Sequence, residues 1–512
     1  MPLLPDLLLP LYYGTLLLLA AFGCHRALLL VLYLRYWRRL ETPPDPQTLP
    51  VVTVQLPLYN EMYVATRLLD AVCELDYPRD RLEIQVLDDS DDETCELLQL
   101  AVEKWRARGV DVRRLHRTKR IGFKAGALAA GLESARGELI AVFDADFVPA
   151  TTFLRKTVPW FQDEGVGMVQ ARWDHLNRGF SLLTRIQAVL LDGHFRIEHA
   201  ARFASGRFFN FNGTAGVWRR RAIETAGGWQ HDTLTEDLDL SYRAQLHGWR
   251  FLYLAELGVP AELPVDIAGF KSQQYRWAKG SVQTARKLLG RILRARVPRK
   301  KKIEAFFHLT TNFAYPLMVL LSVLIFPAVL ARQGNSEWML LVIDLPLFLA
   351  ATLSVVAYYS LSQLVFDDRE EKLLRILPAV LALGIGLSVN NSRAVLSGLI
   401  RNGGTFVRTP KYRVVGPDTS WRNKKYRAEV DGTFVLEGLL SLYLVVCLGL
   451  AIYQAMWLAV PFLYLFVQGY GYVFLQSVSA WARSRRGRYQ ALRPLGLGAA
   501  DGTALPSEDS DR

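Results

Sequence analysis

Between Val51 and Lys302 short apolar runs alternate with amphipathic stretches, whereas on either side apolar residues run on for about the 20 positions a bilayer requires. Val51–Leu56, Glu83–Leu87, Val110–Leu115 and Leu139–Phe143 are short and often β-branched, the pattern of buried strands. Met62–Glu74, Asp92–Arg108, Lys124–Ala135 and Thr151–Phe161 follow them in turn and read as helices. Strand–helix alternation of this kind predicts a mostly parallel sheet covered on both faces, a Rossmann-like α/β domain over residues 51–268. Ligands of such sheets bind at the carboxyl ends of the strands.

The longer runs predict membrane helices. Leu7–Leu34 reads as an uncleaved anchor, because no basic residue precedes it and no small-residue cleavage site follows. His25 and Arg26 interrupt it, so either Arg26 snorkels or the span ends near Cys24. Phe313–Ala331 and Trp338–Leu361 predict two spans, and Gly438–Val478 two more, with Gln454 marking the turn. Ile376–Val389 is only 14 residues of apolar sequence, which suits a re-entrant or interfacial segment. Five spans are therefore expected, against six if Ile376–Ile400 crosses. Five places the basic Arg401–Arg427 loop and the basic tail on one side, as the positive-inside rule prefers.

The expected organisation is an anchor with a basic flank (1–40), a proline-rich linker (41–50), and the α/β domain (51–268). Amphipathic interface helices (269–304), two spans with the re-entrant segment (305–400) and a cytosolic loop (401–433) come next. Two final spans (434–482) and a disordered cytosolic tail (483–512) complete it.

The net charge of +12 first invites a nucleic-acid reading. The Lys and Arg instead cluster beside apolar runs, at Arg35–Arg39, Arg294–Lys302, Arg422–Arg427 and Arg483–Arg488, a pattern made for anionic headgroups. No nucleic-acid motif accompanies them. A multi-pass protein of the cell (inner) membrane with its catalytic domain in the cytosol is expected. Four cysteines with no C-x-x-C spacing read as free thiols.

The candidate chemistry lies at predicted strand ends. Asp144 and Asp146 follow Leu139–Phe143; at i and i+2 on an extended chain they face one side and can share a hard cation with a diphosphate. Asp88 and Asp89 follow Ile84–Leu87, where carboxylates can accept hydrogen bonds from a base or ribose. Thr235-Glu236-Asp237 precedes a helical stretch, so its carboxylates either favour the helix dipole or supply a general base, Asp237, beside Glu236. Gln273, Arg276 and Trp277, at i, i+3 and i+4, share one helical face; Arg offers a fork of donors to a diphosphate and Trp a flat face to a sugar. The same segment also reads as an interfacial amphipathic helix.

These motifs in this order resemble the inverting family 2 glycosyltransferases of GT-A fold, and among them the cellulose-synthase superfamily. The nearest resemblance is to the cellulose synthase-like A type, the mannan and glucomannan synthases, and their bacterial relatives. It rests on Pro57-Leu-Tyr-Asn-Glu61, Val86-Leu-Asp-Asp-Ser90, Gly122-Phe-Lys-Ala-Gly126, Phe143-Asp-Ala-Asp-Phe147 and Val169-Gln-Ala-Arg-Trp173. It continues through Phe211–Gly216, Thr235–Asp237, Gln273–Trp277 and Gly384–Asn391. The resemblance implies a GT-A domain inserted between membrane helices and a nucleotide-sugar donor, UDP-glucose or GDP-mannose. It implies that Asp88, Asp89, Lys124, Asp144 and Arg276 contact the donor and that Asp144 and Asp146 hold Mg²⁺ or Mn²⁺. Asp237 would be the base, with Gln273 and Trp277 at the acceptor. Phe406-Val-Arg-Thr-Pro-Lys411 is similar to the gating loop F-x-V-T-x-K, so Phe406, Thr409 and Lys411 would cover the nucleotide, although Arg408 replaces its Val. Two functions compete: processive synthesis of a β-linked mannan, glucomannan or glucan, and addition of one sugar to a lipid acceptor.

Overall fold

The computed structural model describes residues 3–38, 43–44, 46–331, 336–364, 373–416 and 420–492. A single long helix, α1 (Leu3–Tyr36), leads into the α/β domain. Strands β1 (Val52–Leu58), β2 (Leu82–Asp88), β3 (Val112–His116) and β4 (Leu139–Val142) follow the apolar runs closely. Helices α2 (Ala65–Cys73), α3 (Thr94–Arg106) and α4 (Phe123–Ser134) separate them, and α5 (Phe153–Thr157) follows β4. Three further strands, β5 (Val166–His175), β6 (Gly216–Arg219) and β7 (Arg250–Ala261), complete a seven-stranded sheet of order β3-β2-β1-β4-β6-β5-β7. β6 runs antiparallel to both its neighbours, and the other four pairings are parallel, so the sheet is mostly parallel, as expected, with one reversed strand.

Successive residues of a strand face opposite sides, and β4 shows the division. Leu139 and Ala141 join the core under α2, α3 and α5. Ile140 and Val142 join a second core with α4, α6 (Leu182–Asp192) and α9 (Glu236–Leu246). Between β5 and α9 the chain also forms a π-helical turn (Gly193–His199), α7 (Ala200–Ala204) and α8 (Arg220–Thr225).

That second core does not stop at the domain boundary. It takes in Leu29, Leu32 and Tyr33 of α1. It also holds Tyr358 and Tyr359 of α14 (Leu345–Leu364) and Val380 and Leu383 of α15 (Leu373–Gly386). The intervening chain forms α10 (Ile267–Arg294), α11 (Arg299–Thr310), α12 (Ala314–Leu330) and α13 (Ser336–Met339). After α15 come α16 (Ser388–Ile400), α17 (Thr433–Tyr453) and α18 (Val460–Leu492).

Among the described residues four helical segments are long and apolar enough to cross a membrane: Leu7–Tyr36, Arg299–Leu330, Leu341–Leu364 and Thr433–Tyr453. A fifth arises if α15 and α16, bent by 41° at their junction, are one broken span. The short segment Ile376–Val389 contains that break. α18 has the length of a span, but Gln468, Gln476, Ser477 and Ser479 dilute its apolar character below that of the other four. Gly386 of α15 meets Gly469 of α18 so closely that a Cβ there would lie 2.3 Å from the Gly469 carbonyl oxygen. The tail expected to be disordered from 483 is helical through Leu492, because Arg, Gln, Ala and Leu extend α18 readily; residues 493–512 lie outside those described.

Candidate active site

The carboxyl ends of β1 and β4 open onto one cleft. Asp89, Lys124, Asp144, Asp146, Glu236, Asp237, Gln273, Arg276 and Trp277 all line it, as do Phe406, Thr409 and Lys411.

Asp88 does not. Its carboxylate is fully buried, accepting from Arg114 Nε at 2.8 Å and from the Ser90 amide at 2.9 Å. Asp88, expected to contact the donor, sits behind the rim, paired with a guanidinium from the next strand. Cys95 and His116 approach it closely enough for a metal site, but Arg114 already supplies the cation there. Asp89 does face the cleft. Arg117 grips it in bidentate fashion, at 2.7 and 2.6 Å, and also donates to the carbonyls of Ile121 and Phe123. Asp89 thereby fixes the turn that starts α4 and presents Lys124.

Lys124 pairs with Asp144 and donates to the Gly213 carbonyl at 2.9 Å. Lys411 donates to Asp146 at 2.7 Å, and the Glu262 amide approaches the same oxygen at 3.2 Å. Burial pushes the Asp144 carboxyl above its usual range, against the pull of Lys124. Two carboxylates on one rim form a hard oxygen donor set of the kind a divalent cation takes, and in this structure an ammonium stands at each. Gly213, at φ +79°, lies between the two halves of the site; a Cβ there would be 3.0 Å from Asp237 Oδ2 and 3.3 Å from Lys124 Nζ.

Glu236 and Asp237 open α9. Thr235 stands at its N-cap, but its hydroxyl makes no capping bond and meets the Thr284 hydroxyl at 3.3 Å instead. Asp237 Oδ1 accepts from the Leu238 amide at 2.8 Å. Its carboxyl is pushed up to about 7, by burial first and then by Glu236, with Lys124 opposing. Burial raises Glu236 as well.

α10 begins at Asp266, whose side chain accepts from the Gly269 amide at 2.8 Å, and carries Gln273, Arg276 and Trp277 along the cleft. Arg276 donates to Thr409 Oγ1 at 3.1 Å and lies over the Phe406 ring, 4.4 Å from its centre. Burial lowers the guanidinium to about 10, although Glu236 and Asp144 favour its charge. The loop after α16 is thus held down at Thr409 and Lys411. Arg408, the departure from the gating pattern, adds a third anchor: it lies 3.3 Å from Glu61 and 3.9 Å from the centre of the Tyr426 ring. Burial raises the Glu61 carboxyl to about 8 despite that arginine.

Two contributors carried no role in the sequence reading. Glu262 accepts from the Tyr412 amide at 2.8 Å, and its carbonyl accepts from Lys411 at 2.5 Å. Trp173 stands 6.3 Å from Trp277 between ring centres. Glu262 follows directly on β7, whose inward residues Phe251, Tyr253, Ala255, Leu257, Val259 and Ala261 alternate strictly, a period-two signal present in the sequence.

A mixed sheet of this strand order, with its acidic rim at the carboxyl ends, is a GT-A-type domain. Residues 50–280 match the family described as Glycosyltransferase like family 2. The chain is 40% identical over 361 residues to the probable glucomannan 4-beta-mannosyltransferase 7 of Oryza sativa subsp. japonica, covering 69% of this chain and 60% of that one. It is 44% identical over 250 residues to glucomannan 4-beta-mannosyltransferase 2 of Arabidopsis thaliana, covering 48% and 47%. It spans about half to three fifths of the length of these curated relatives. The solved mannosyltransferase PcManGT from Pyrobaculum calidifontis, in complex with GDP-Man and Mn²⁺, shares the fold. Its TM-score is 0.51 at 24% identity, over 70% of this chain and 100% of that one.

Proposed function

We propose that this protein is a membrane hexosyltransferase that moves mannose from GDP-mannose to the end of a β-linked mannan or glucomannan, working processively with its catalytic domain in the cytosol. The observation that carries this reading is the convergence of Asp144, Asp146, Asp237 and Arg276 on one cleft, with the base candidate poised at about 7. The similarity to two glucomannan mannosyltransferases favours GDP-mannose over UDP-glucose as donor. With α15 and α16 turning back as a re-entrant pair and α18 crossing, the basic loops fall on one side, which supports the cytosolic placement.

In this reading Asp237 takes the proton from the acceptor hydroxyl as its oxygen attacks the anomeric carbon opposite the leaving diphosphate. One in-line displacement inverts that carbon. Arg276 and Lys124 face the charge that builds on the leaving group, and Asp89 orders the nucleotide end through Arg117 and α4. Gln273 and Trp277 hold the acceptor, while Phe406, Thr409 and Lys411 close over the donor. Asp144 and Asp146 would hold Mg²⁺ or Mn²⁺, which when bound neutralises diphosphate charge.

The test is reconstitution of the whole protein in liposomes with radiolabelled GDP-mannose or UDP-glucose, supplied singly, followed by sizing of the product. A labelled mannan from GDP-mannose is expected. A glycolipid carrying one sugar, or label only from UDP-glucose, would overturn the acceptor or the donor assignment respectively.

A further inference from the structure

We propose that Trp173 is a second acceptor-binding residue, and that with Trp277 it forms a two-walled platform on which glucose-ended and mannose-ended glycans bind alike. This rests on the transferase reading above and names the acceptor face of the same cleft.

Trp173 comes near the end of β5, on the cleft wall. Phe147, directly after Asp146, meets its ring edge-on at 5.2 Å, and Phe195 backs it at 5.1 Å. Those two rings fix its orientation, yet it stays only partly buried. A ring held by the core but open to a cleft is an aromatic binding wall. Trp173 and Trp277 are inclined at 58° with centres 6.3 Å apart. That is too close to sandwich a sugar, so they form a corner.

The chemistry of the pyranose then decides what the corner accepts. In a β-linked chain the hydrogens on C1, C3 and C5 share one ring face, and that face is apolar. Mannose differs from glucose only in its 2-hydroxyl, which is axial on the opposite face. A wall that reads the C1–C3–C5 face does not sense the difference, leaving sugar selection to the donor side. The wall also points toward the membrane helices. Phe195 lies on the π-helical turn, whose Gly193 packs so tightly on α14 that a Cβ would be 2.6 Å from the Tyr358 ring and 2.8 Å from Tyr359.

The experiment uses the whole protein in liposomes with GDP-mannose and, as soluble acceptors, β-1,4-linked mannotetraose and cellotetraose. Trp173→Leu keeps an apolar filler and removes the aromatic face; Trp173→Phe keeps a smaller face. Trp173→Leu is expected to raise the acceptor KM about 10-fold for both oligosaccharides, equivalent to roughly 1.4 kcal/mol. Trp173→Phe should give an intermediate rise, and GDP binding should be unchanged in both. An unchanged acceptor KM, an effect on one oligosaccharide only, or an equal loss of GDP binding would overturn the proposal. If Trp173→Leu does not accumulate, Trp173→Phe alone carries the comparison. Absence of mannosyl transfer by the unsubstituted protein would overturn the transferase reading instead, and this inference with it.

Discussion

The carboxyl of Asp237 is held near neutrality by burial and by Glu236, and two consequences follow at the scale of that one residue. The base role proposed for it requires the ionised form, so kcat/KM should fall as pH drops below about 7, with Asp237→Asn lowering transfer by at least about 10²–10⁴-fold. Stability should respond in the opposite sense. The folded carboxyl keeps its proton up to about 7, whereas the unfolded one loses it near the ordinary value of 3.8. The folded state binds the extra proton in that window, so stability falls as pH rises through it. Asp237→Asn removes this loss, and thermal unfolding in detergent should show the variant equal to the unsubstituted protein at pH 4 and more stable at pH 8. Asp88 and Asp89 show where residue-level reading ends. Adjacent carboxylates at a strand end look alike in sequence, and only the placement of Arg114 beneath the rim and Arg117 at its edge tells them apart. Asp144, Asp146 and Asp237 were legible because strand-end and helix-start positions follow from local pattern.

Among the elements, β1 to β4 were legible and β5 to β7 were not. The first four are bounded by helical stretches that punctuate them. β5 and β6 are separated by α6, a π-helical turn, α7 and irregular loops, and β6 spans only Gly216–Arg219. β7 carried a clear alternation that motif reading passed over. The loop 406–412 behaves as an element in its own right, fastened by Arg276–Thr409, Arg408–Glu61 and Lys411–Asp146. Lys411→Met would leave the Asp146 carboxylate without its ammonium, and breaking a buried pair costs about 3–5 kcal/mol. Hydrogen exchange should therefore show residues 406–412 opening far more often in this variant, while α2 and α3 keep their protection. Arg408→Val removes a single anchor and should produce a smaller change confined to the same loop.

At the scale of the whole molecule, buried ionic contacts join domain and helices. Glu304 of α11 accepts from Arg202 at 2.8 Å and meets His25 of α1 at 3.1 Å. Glu304→Gln should cost about 3–5 kcal/mol, since the buried Arg202 guanidinium loses a counter-charge, and should lower the unfolding temperature of the intact protein. Gly386→Val should likewise reduce the yield of folded protein, because α15 and α18 touch backbone to backbone there. None of these long-range partners was readable from local sequence pattern, which carries no information on which helix faces which.

The core shared by the sheet, α1, α14 and α15 also sets a timetable for biosynthesis. Ile186 and Val189 of α6 leave the ribosome long before Val380 and Leu383 of α15, which help to cover them. At about 5–20 residues per second the interval is roughly 10–40 s. Throughout it one side of the nascent catalytic domain stays uncovered, so chain elongation, membrane insertion and closure of the domain form one coupled sequence. A ribosome stalled before α14 should hold a nascent chain that binds chaperones and remains sensitive to protease.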